Sequence, residues 1–144
     1  MFECYARTMR CHVEPVWGWD PEFQRQGFAR GLSLGSTKVV EVNGEFGGFV
    51  WLQKSPESTM LRLICLDPRY QRSGIGSRLL MALVARVRRL RLKVFKTNPA
   101  VALYGRLGFV PVAEDDHMVE MVHVGAAAGT AGRPKPHHAP TWED

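Results

Sequence analysis

Gly74 and Gly76 stand just behind Asp67-Pro68 and the stretch Gln71-Arg72-Ser73, and their setting points to anion binding. An apolar run ends at Asp67-Pro68. Leu79, Leu80, Leu83, Val84, Val87 and Leu90 then recur at helical spacing. This pattern reads as a strand, a tight turn and a helix N-terminus. The first N–H groups of a helix have no partner inside it, and the aligned peptide dipoles make that end electropositive. Anions bind there, phosphates above all. Glycine at 74 and 76 lets the backbone approach a ligand that a Cβ would hold off.

Two common phosphate loops are excluded. A dinucleotide fingerprint needs a third glycine where Leu79 stands, and an acidic residue about 20 positions on, where this chain is basic. The lysine-bearing P-loop pattern is absent. What remains, Gln71-x-x-Gly74-x-Gly76 after a strand and a proline, resembles the pyrophosphate loop of the GNAT acetyltransferase superfamily, which holds acetyl-CoA. A second segment, residues 98–109 (NPAVALYGRLGF), is similar to that superfamily's late-helix pattern at Leu103, Tyr104, Gly108 and Phe109. Asn98 lies six residues before Tyr104, where the family more often has seven. The resemblance covers residues 38–124.

The resemblance implies an α/β GNAT acyl-CoA N-acyltransferase fold, a mixed central sheet flanked by helices. It also implies acetyl-CoA as co-substrate and transfer of its acetyl group to a primary amine by direct attack on the thioester. Gln71, Arg72, Ser73, Gly74, Ile75, Gly76 and Ser77 would hold the coenzyme phosphates, with Asn98 nearby. The strand end at Ile64, Cys65 and Leu66 would pair with the pantetheine arm, and a bulge there would leave an N–H free for the carbonyl oxyanion. Tyr104 would sit beside the sulfur as general acid, because a phenol with a pKa near 10 is protonated at neutral pH; the plainer alternative is a core aromatic. The connection holding Trp17, Trp19 and Asp20 would wall the acceptor side, where indole faces attract an ammonium; core packing and an N-cap aspartate are the alternative. The general base stays open. The strand at residues 60–66 holds no acid, leaving Glu41, Glu57 and His117, each also readable as a plain surface residue.

These residues must be positioned by a definite set of elements. Phe2, Tyr5, Met9 and Val13 predict a first helix over residues 2–13, interrupted at Pro15. Asp20-Pro21 predicts the N-cap of a second helix reaching Arg30, with a loop over 31–36. Asn43-Gly44 predicts a hairpin between strands at 38–42 and 46–53. A turn at 55–58, a strand at 60–66, the glycine loop and a long helix to about Leu90 follow. Then come a strand at 92–95, a short helix at 99–107 stopped by Gly108, and a closing hairpin of 109–113 with 118–124. Residues 1–124 form one domain. Residues 125–144, rich in Ala, Gly and Pro without apolar period, read as a disordered tail.

The GNAT order has one more strand in front of the first helix. Without it, the strand at 38–42 would expose an unpaired edge. The expectations are a bare edge, a partner chain that fills it, or a start codon placed too late, of which the last is favoured.

Bulk properties agree. A chain of 144 residues, 45% hydrophobic and 23% charged, fits one folded domain. No apolar run reaches the roughly 18 residues that span a bilayer, and Glu3, Arg7, Arg10 and His12 break up any signal-peptide core. Cys4, Cys11 and Cys65 suggest neither a disulfide framework nor a metal site, and His137-His138 alone are too few ligands. The cytoplasm fits, with a monomer or homodimer expected. The net charge is +5, and Arg86, Arg88, Arg89, Arg91 and Lys93 cluster, which reads as a helix C-terminus and a solvated face, with a contact to the coenzyme's phosphates or to an acidic macromolecule as the alternative. No stacking motif supports nucleic-acid binding. Two further readings stand beside the enzyme of small amines: a catalytically weak or inactive CoA-binding module, and an acetyltransferase acting on a protein terminus or charged tRNA.

Overall fold

The computed structural model describes residues 1–124 and the backbone of residues 142–143. The elements run α1 (Phe2–Trp17), α2 (Pro21–Leu32), β1 (Ser36–Val42), β2 (Glu45–Lys54), β3 (Thr59–Leu66), a 3-10 turn (Pro68–Tyr70), α3 (Ile75–Arg86), β4 (Arg89–Phe95), α4 (Ala100–Arg106), β5 (Val110–Glu114), β6 (Met118–Val124) and β7 (Trp142–Glu143). The strands form one mixed sheet in the order β5-β6-β4-β3-β2-β1-β7. Its one parallel pair among the described strands is β3 with β4, and α3 makes the crossover between them.

Alternation along the strands separates two apolar layers. Val50, Leu52, Leu61, Leu92 and Val94 pack with Leu80, Leu83 and Val84 of α3 and with Tyr104 of α4. Phe49, Leu63 and Cys65 face the other way, onto Cys4, Tyr5 and Met9 of α1 and Phe28 of α2. Helices on both faces of a sheet that is parallel at its centre are the expected solution for burying it.

Local signals mostly hold. The Asp20 carboxylate caps α2 by accepting from the Phe23 N–H at 2.9 Å, with Pro21 at the first helical position. Asn43 and Gly44 both have positive φ, 52° and 80°, as a two-residue hairpin turn requires.

Three expectations need correction. Helix α1 does not stop before Pro15 but carries it inside and ends at Trp17, where the Gly18 N–H donates to the Glu14 carbonyl. So late in a helix, a proline forfeits one bond without ending the element. Helix α2 likewise takes in Gly31 and Leu32. Helix α3 ends at Arg86 rather than near Leu90, because Val87 is extended (φ −119°, ψ 157°). Leu90, Leu92 and Val94 alternate with Arg89, Arg91 and Lys93, and this two-residue period wins over the helical spacing that Leu90 also satisfies. Most of the basic cluster therefore lies on β4 rather than on a helix end. Arg91 on that strand is paired with Glu120 of β6, its Nε donating at 2.9 Å.

At the far edge, β7 pairs with β1 through Val39↔Glu143 and Val40↔Trp142. The edge that was expected to be bare, or filled by another chain, is partly covered by this chain's own backbone. The rest of the expected tail lies outside the described residues.

Candidate active site

The site begins where β3 and β4 part. They pair only through Thr59↔Leu90, Met60↔Arg91 and Leu61↔Leu92. Strand β3 then runs on to Leu66 and β4 to Phe95 with no further ladder between them. On its other side β3 stays paired to β2 as far as Gly48↔Leu66. The edge of β3 facing β4 beyond Leu61 therefore presents backbone groups that an extended ligand can use. A bulge does occur on β3, between Leu61 and Leu63, which puts Arg62 out of register. It lies upstream of the Ile64–Leu66 position expected from sequence, so the free edge there comes from strand divergence and not from a bulge.

The glycine loop closes the carboxyl end of this gap, the usual place for a ligand in an open α/β sheet. Asp67 accepts from the Arg69 N–H at 3.0 Å and starts the 3-10 turn. Gln71 turns back, its Nε2 donating to the Leu66 carbonyl at 3.0 Å, and the Ser73 hydroxyl donates to the Tyr70 carbonyl at 2.6 Å. Gly74 is the N-cap of α3 at φ 82°, a left-handed conformation that costs other residues about 1 kcal/mol or more. No side chain caps this helix. Among the described residues, none of the backbone N–H groups of residues 72–77 has an acceptor. Arg72 and Arg78 are exposed beside them. A Cβ on Gly76 would meet nothing closer than Leu66 Cδ1 at 3.5 Å, so the space beside it is open. These are the features a diphosphate needs, and the residues fit one.

Ile64, Cys65 and Leu66 lie along the splayed edge as expected, but the Cys65 side chain turns away from it toward α1. Cys65 is 1% exposed, and burial pushes its thiol up to about 12. Asn98 closes the turn that leads into α4, its Oδ1 accepting from the Ala100 N–H at 2.9 Å, with Pro99 at the cap position itself. Tyr104 is buried against Phe109, ring centroids 5.6 Å apart. Burial, with Cys65 close by, pushes its phenol up to about 12.

On the α1–α2 face a cleft of about 400 Å³ runs along the parting strands. Tyr5, Phe23 and Phe28 form its helical wall, and Trp51, Arg62 and Lys93 come from the sheet. Tyr5 is fixed by its hydroxyl, which donates to Gln24 Oε1 at 2.9 Å. Sequence reasoning offered Tyr5 only as a position in the apolar pattern of the first helix and Lys93 only as part of the basic cluster, and it did not single out Gln24. It noted Arg62 only as the lone charge of its strand.

The tryptophans border this region differently. Trp17 is 63% exposed and leans on Phe95 at the end of β4, ring centroids 5.2 Å apart. Trp19 packs on Tyr5, and its face already carries the Arg10 guanidinium at 5.8 Å. Asp20 is occupied as the helix cap. Of the candidate bases, Glu57 lies at the opposite end of β3 from the glycine loop, beside a second cavity with Lys54 and Arg88. Glu41 is exposed on β1, and His117 is exposed at the start of the β6 hairpin arm. No carboxylate lines the main cleft among the described residues.

A family model described as acetyltransferase (GNAT) domain matches residues 33–111. No curated protein matches the chain. Among solved structures, the chain is similar to the ribosomal-protein-S18-alanine N-acetyltransferase of Escherichia coli. That match has 24% identity and a TM-score of 0.61 over 88% of this chain and 90% of that one. It is also similar to a Bacillus subtilis acetyltransferase in complex with CoA, with 16% identity and a TM-score of 0.62 over 69% and 83%. A third is the PaiA N-acetyltransferase of Thermoplasma acidophilum in complex with coenzyme A, with 18% identity and a TM-score of 0.60 over 85% and 91%. At these identities the likeness speaks for the fold.

Proposed function

Because this chain belongs to the GNAT acetyltransferase family, we propose that it is an acetyl-CoA-dependent N-acetyltransferase acting on a primary amine. The observation that carries this reading is the uncapped N-terminus of α3, set at the mouth of the β3–β4 gap. Phosphate oxygens of the coenzyme accept from the N–H groups of residues 72–77, and the extended arm lies along the free edge of β3 at Ile64–Leu66. Acetyl-CoA supplies the activated acyl group.

The chain's own groups do the rest. The cleft delivers a neutral amine from the α1–α2 face, and its nitrogen bonds to the thioester carbonyl carbon. A free N–H of the β3 edge donates to the developing oxyanion. As the C–S bond breaks, the Tyr104 phenol donates its proton to the departing sulfur, and the proton lost by the new amide nitrogen passes through solvent to restore the phenol. A phenol raised by burial stays protonated across the working range, so it has a proton to give and cannot serve as the base, while its donation to sulfur is the harder for the shift.

One observation favours a second reading, a CoA-binding module with weak or no catalysis: no acid lines the cleft among the described residues. Titration with acetyl-CoA, followed by CoA-release assays over amino acids, peptides and polyamines, separates the two. Binding with release supports the enzyme. Binding without release from any acceptor supports the module. No binding overturns both.

A further inference from the structure

The acceptor cleft is cationic, and that restricts what it takes. Arg62 enters from the bulge of β3 and Lys93 from β4, so the two charges flank the gap from its two sides. Among the described residues neither makes an ion pair within 4.0 Å, although other exposed cations such as Arg10, Arg69 and Lys96 do. The Arg62 guanidinium rests over the Trp51 ring at 5.5 Å, which orients it without neutralising it. Glu120 stands opposite Lys93 on β6 and is taken by Arg91, and Asp115, which also senses Lys93, accepts through one oxygen from the N–H groups of His117 and Met118. The opposite wall is aromatic, with Tyr5, Phe23 and Phe28. A cleft of about 400 Å³ suits a small molecule rather than a folded surface.

From this juxtaposition we propose that the acceptor is a small amine that also carries a carboxylate and a large apolar group, an aromatic amino acid in its chemistry. Its carboxylate lies between Arg62 and Lys93 and its apolar group against the α1–α2 wall. The inference rests on the acetyl-transfer reading of the cleft. It also bears on the base that neither sequence nor site supplies. Two nearby cations disfavour an ammonium, so the acceptor releases its proton to solvent as it seats and arrives neutral. Polyamines, which meet only repulsion, are rejected.

The test measures the cleft apart from turnover. N-acetylphenylalanine, its primary amide and spermidine are titrated calorimetrically into the free and the CoA-loaded protein at low salt. The carboxylate should bind roughly tenfold or more tighter than the amide, the worth of a charge-assisted hydrogen bond. Arg62→Gln and Lys93→Gln should each erase most of that preference, with circular dichroism confirming the fold, since both side chains are exposed. Equal affinity for acid and amide, no binding of either, tighter binding of spermidine, or a preference that survives both substitutions overturns the proposal. A carboxylate preference that depends on Arg62 and Lys93, without CoA release from phenylalanine, supports the anion site and counts against the transfer reading alone.

Discussion

The roles proposed for Tyr104 and Gly76 differ, and their substitutions should fail differently. Tyr104→Phe keeps the buried ring and its contact with Phe109 while removing the proton. Turnover should fall by about 10²–10⁴, the usual range for a lost general acid, with coenzyme affinity nearly unchanged. A loss below threefold with chemistry rate-limiting would return Tyr104 to packing alone. Because its phenol is lifted to about 12, no alkaline limb below about pH 11 in the turnover profile should belong to it. Gly76→Val meets open space, its nearest neighbour being Leu66 Cδ1 at 3.5 Å, so the fold should survive by circular dichroism. The new side chain would occupy the approach to the free N–H groups. Calorimetry should then show acetyl-CoA binding abolished, and unchanged affinity would sink the phosphate-loop assignment. The placement of Gly76 was legible because its signal is local, a glycine loop before a helix; Tyr104 was singled out by the resemblance of residues 98–109 to a family pattern.

At the scale of elements, local chemistry announced the caps and turns, while competition between elements decided the boundaries. Asp20-Pro21 and Asn43-Gly44 behave as their types require. The end of α3 was misread because Leu90 satisfies a helical and a strand period at once, and its pairing with Thr59 of β3 and His123 of β6 resolves the ambiguity. The parting of β3 from β4 was not legible at all, because it is a property of register between two strands. The α1–α2 connection carries its own prediction. Trp17 is 63% exposed and leans on Phe95, so Trp17→Ala should cost little melting temperature. If the connection borders the acceptor, that substitution should raise the acceptor KM several-fold and leave the acetyl-CoA KM alone. Trp19→Ala should lower the melting temperature as well, since Trp19 packs on Tyr5 and carries Arg10. Equal effects of Trp17→Ala on both KM values would place it outside the acceptor site.

The whole molecule brings together what no window of sequence could: Tyr5 and Gln24 from two helices, and Arg62 and Lys93 from two strands joined by a crossover. It also buries weak acids where the strands part, which sets a limit on alkaline stability. Desolvation lifts the Cys65 thiol from its ordinary 9.0 to about 12 and the Tyr104 phenol from 10.0 to about 12; Cys4 adds to the cost of ionising Cys65, and Cys65 to that of Tyr104. Cys4 and Tyr5 are raised in the same sense, first by burial. A group raised in the folded state holds its proton where the unfolded chain has lost it. Its contribution is whole below the ordinary value and fades as pH climbs toward the folded one. For Cys65 that window runs from about pH 9 to 12 and amounts to roughly 4 kcal/mol, at about 1.36 kcal/mol per pH unit. That is a large part of the 5–15 kcal/mol that typically holds a domain together. The melting temperature should therefore hold level up to about pH 9 and drop by roughly 10 °C by pH 11, at a few degrees per kcal/mol for a chain of this size. Cys65→Ala should melt lower at pH 7, because it leaves a small cavity. It should then decline later and less steeply above pH 9, since it removes the thiol and relieves Tyr104 together. Parallel curves for the two proteins would mean that the thiol is not held neutral by burial, and that alkaline loss starts elsewhere in the fold.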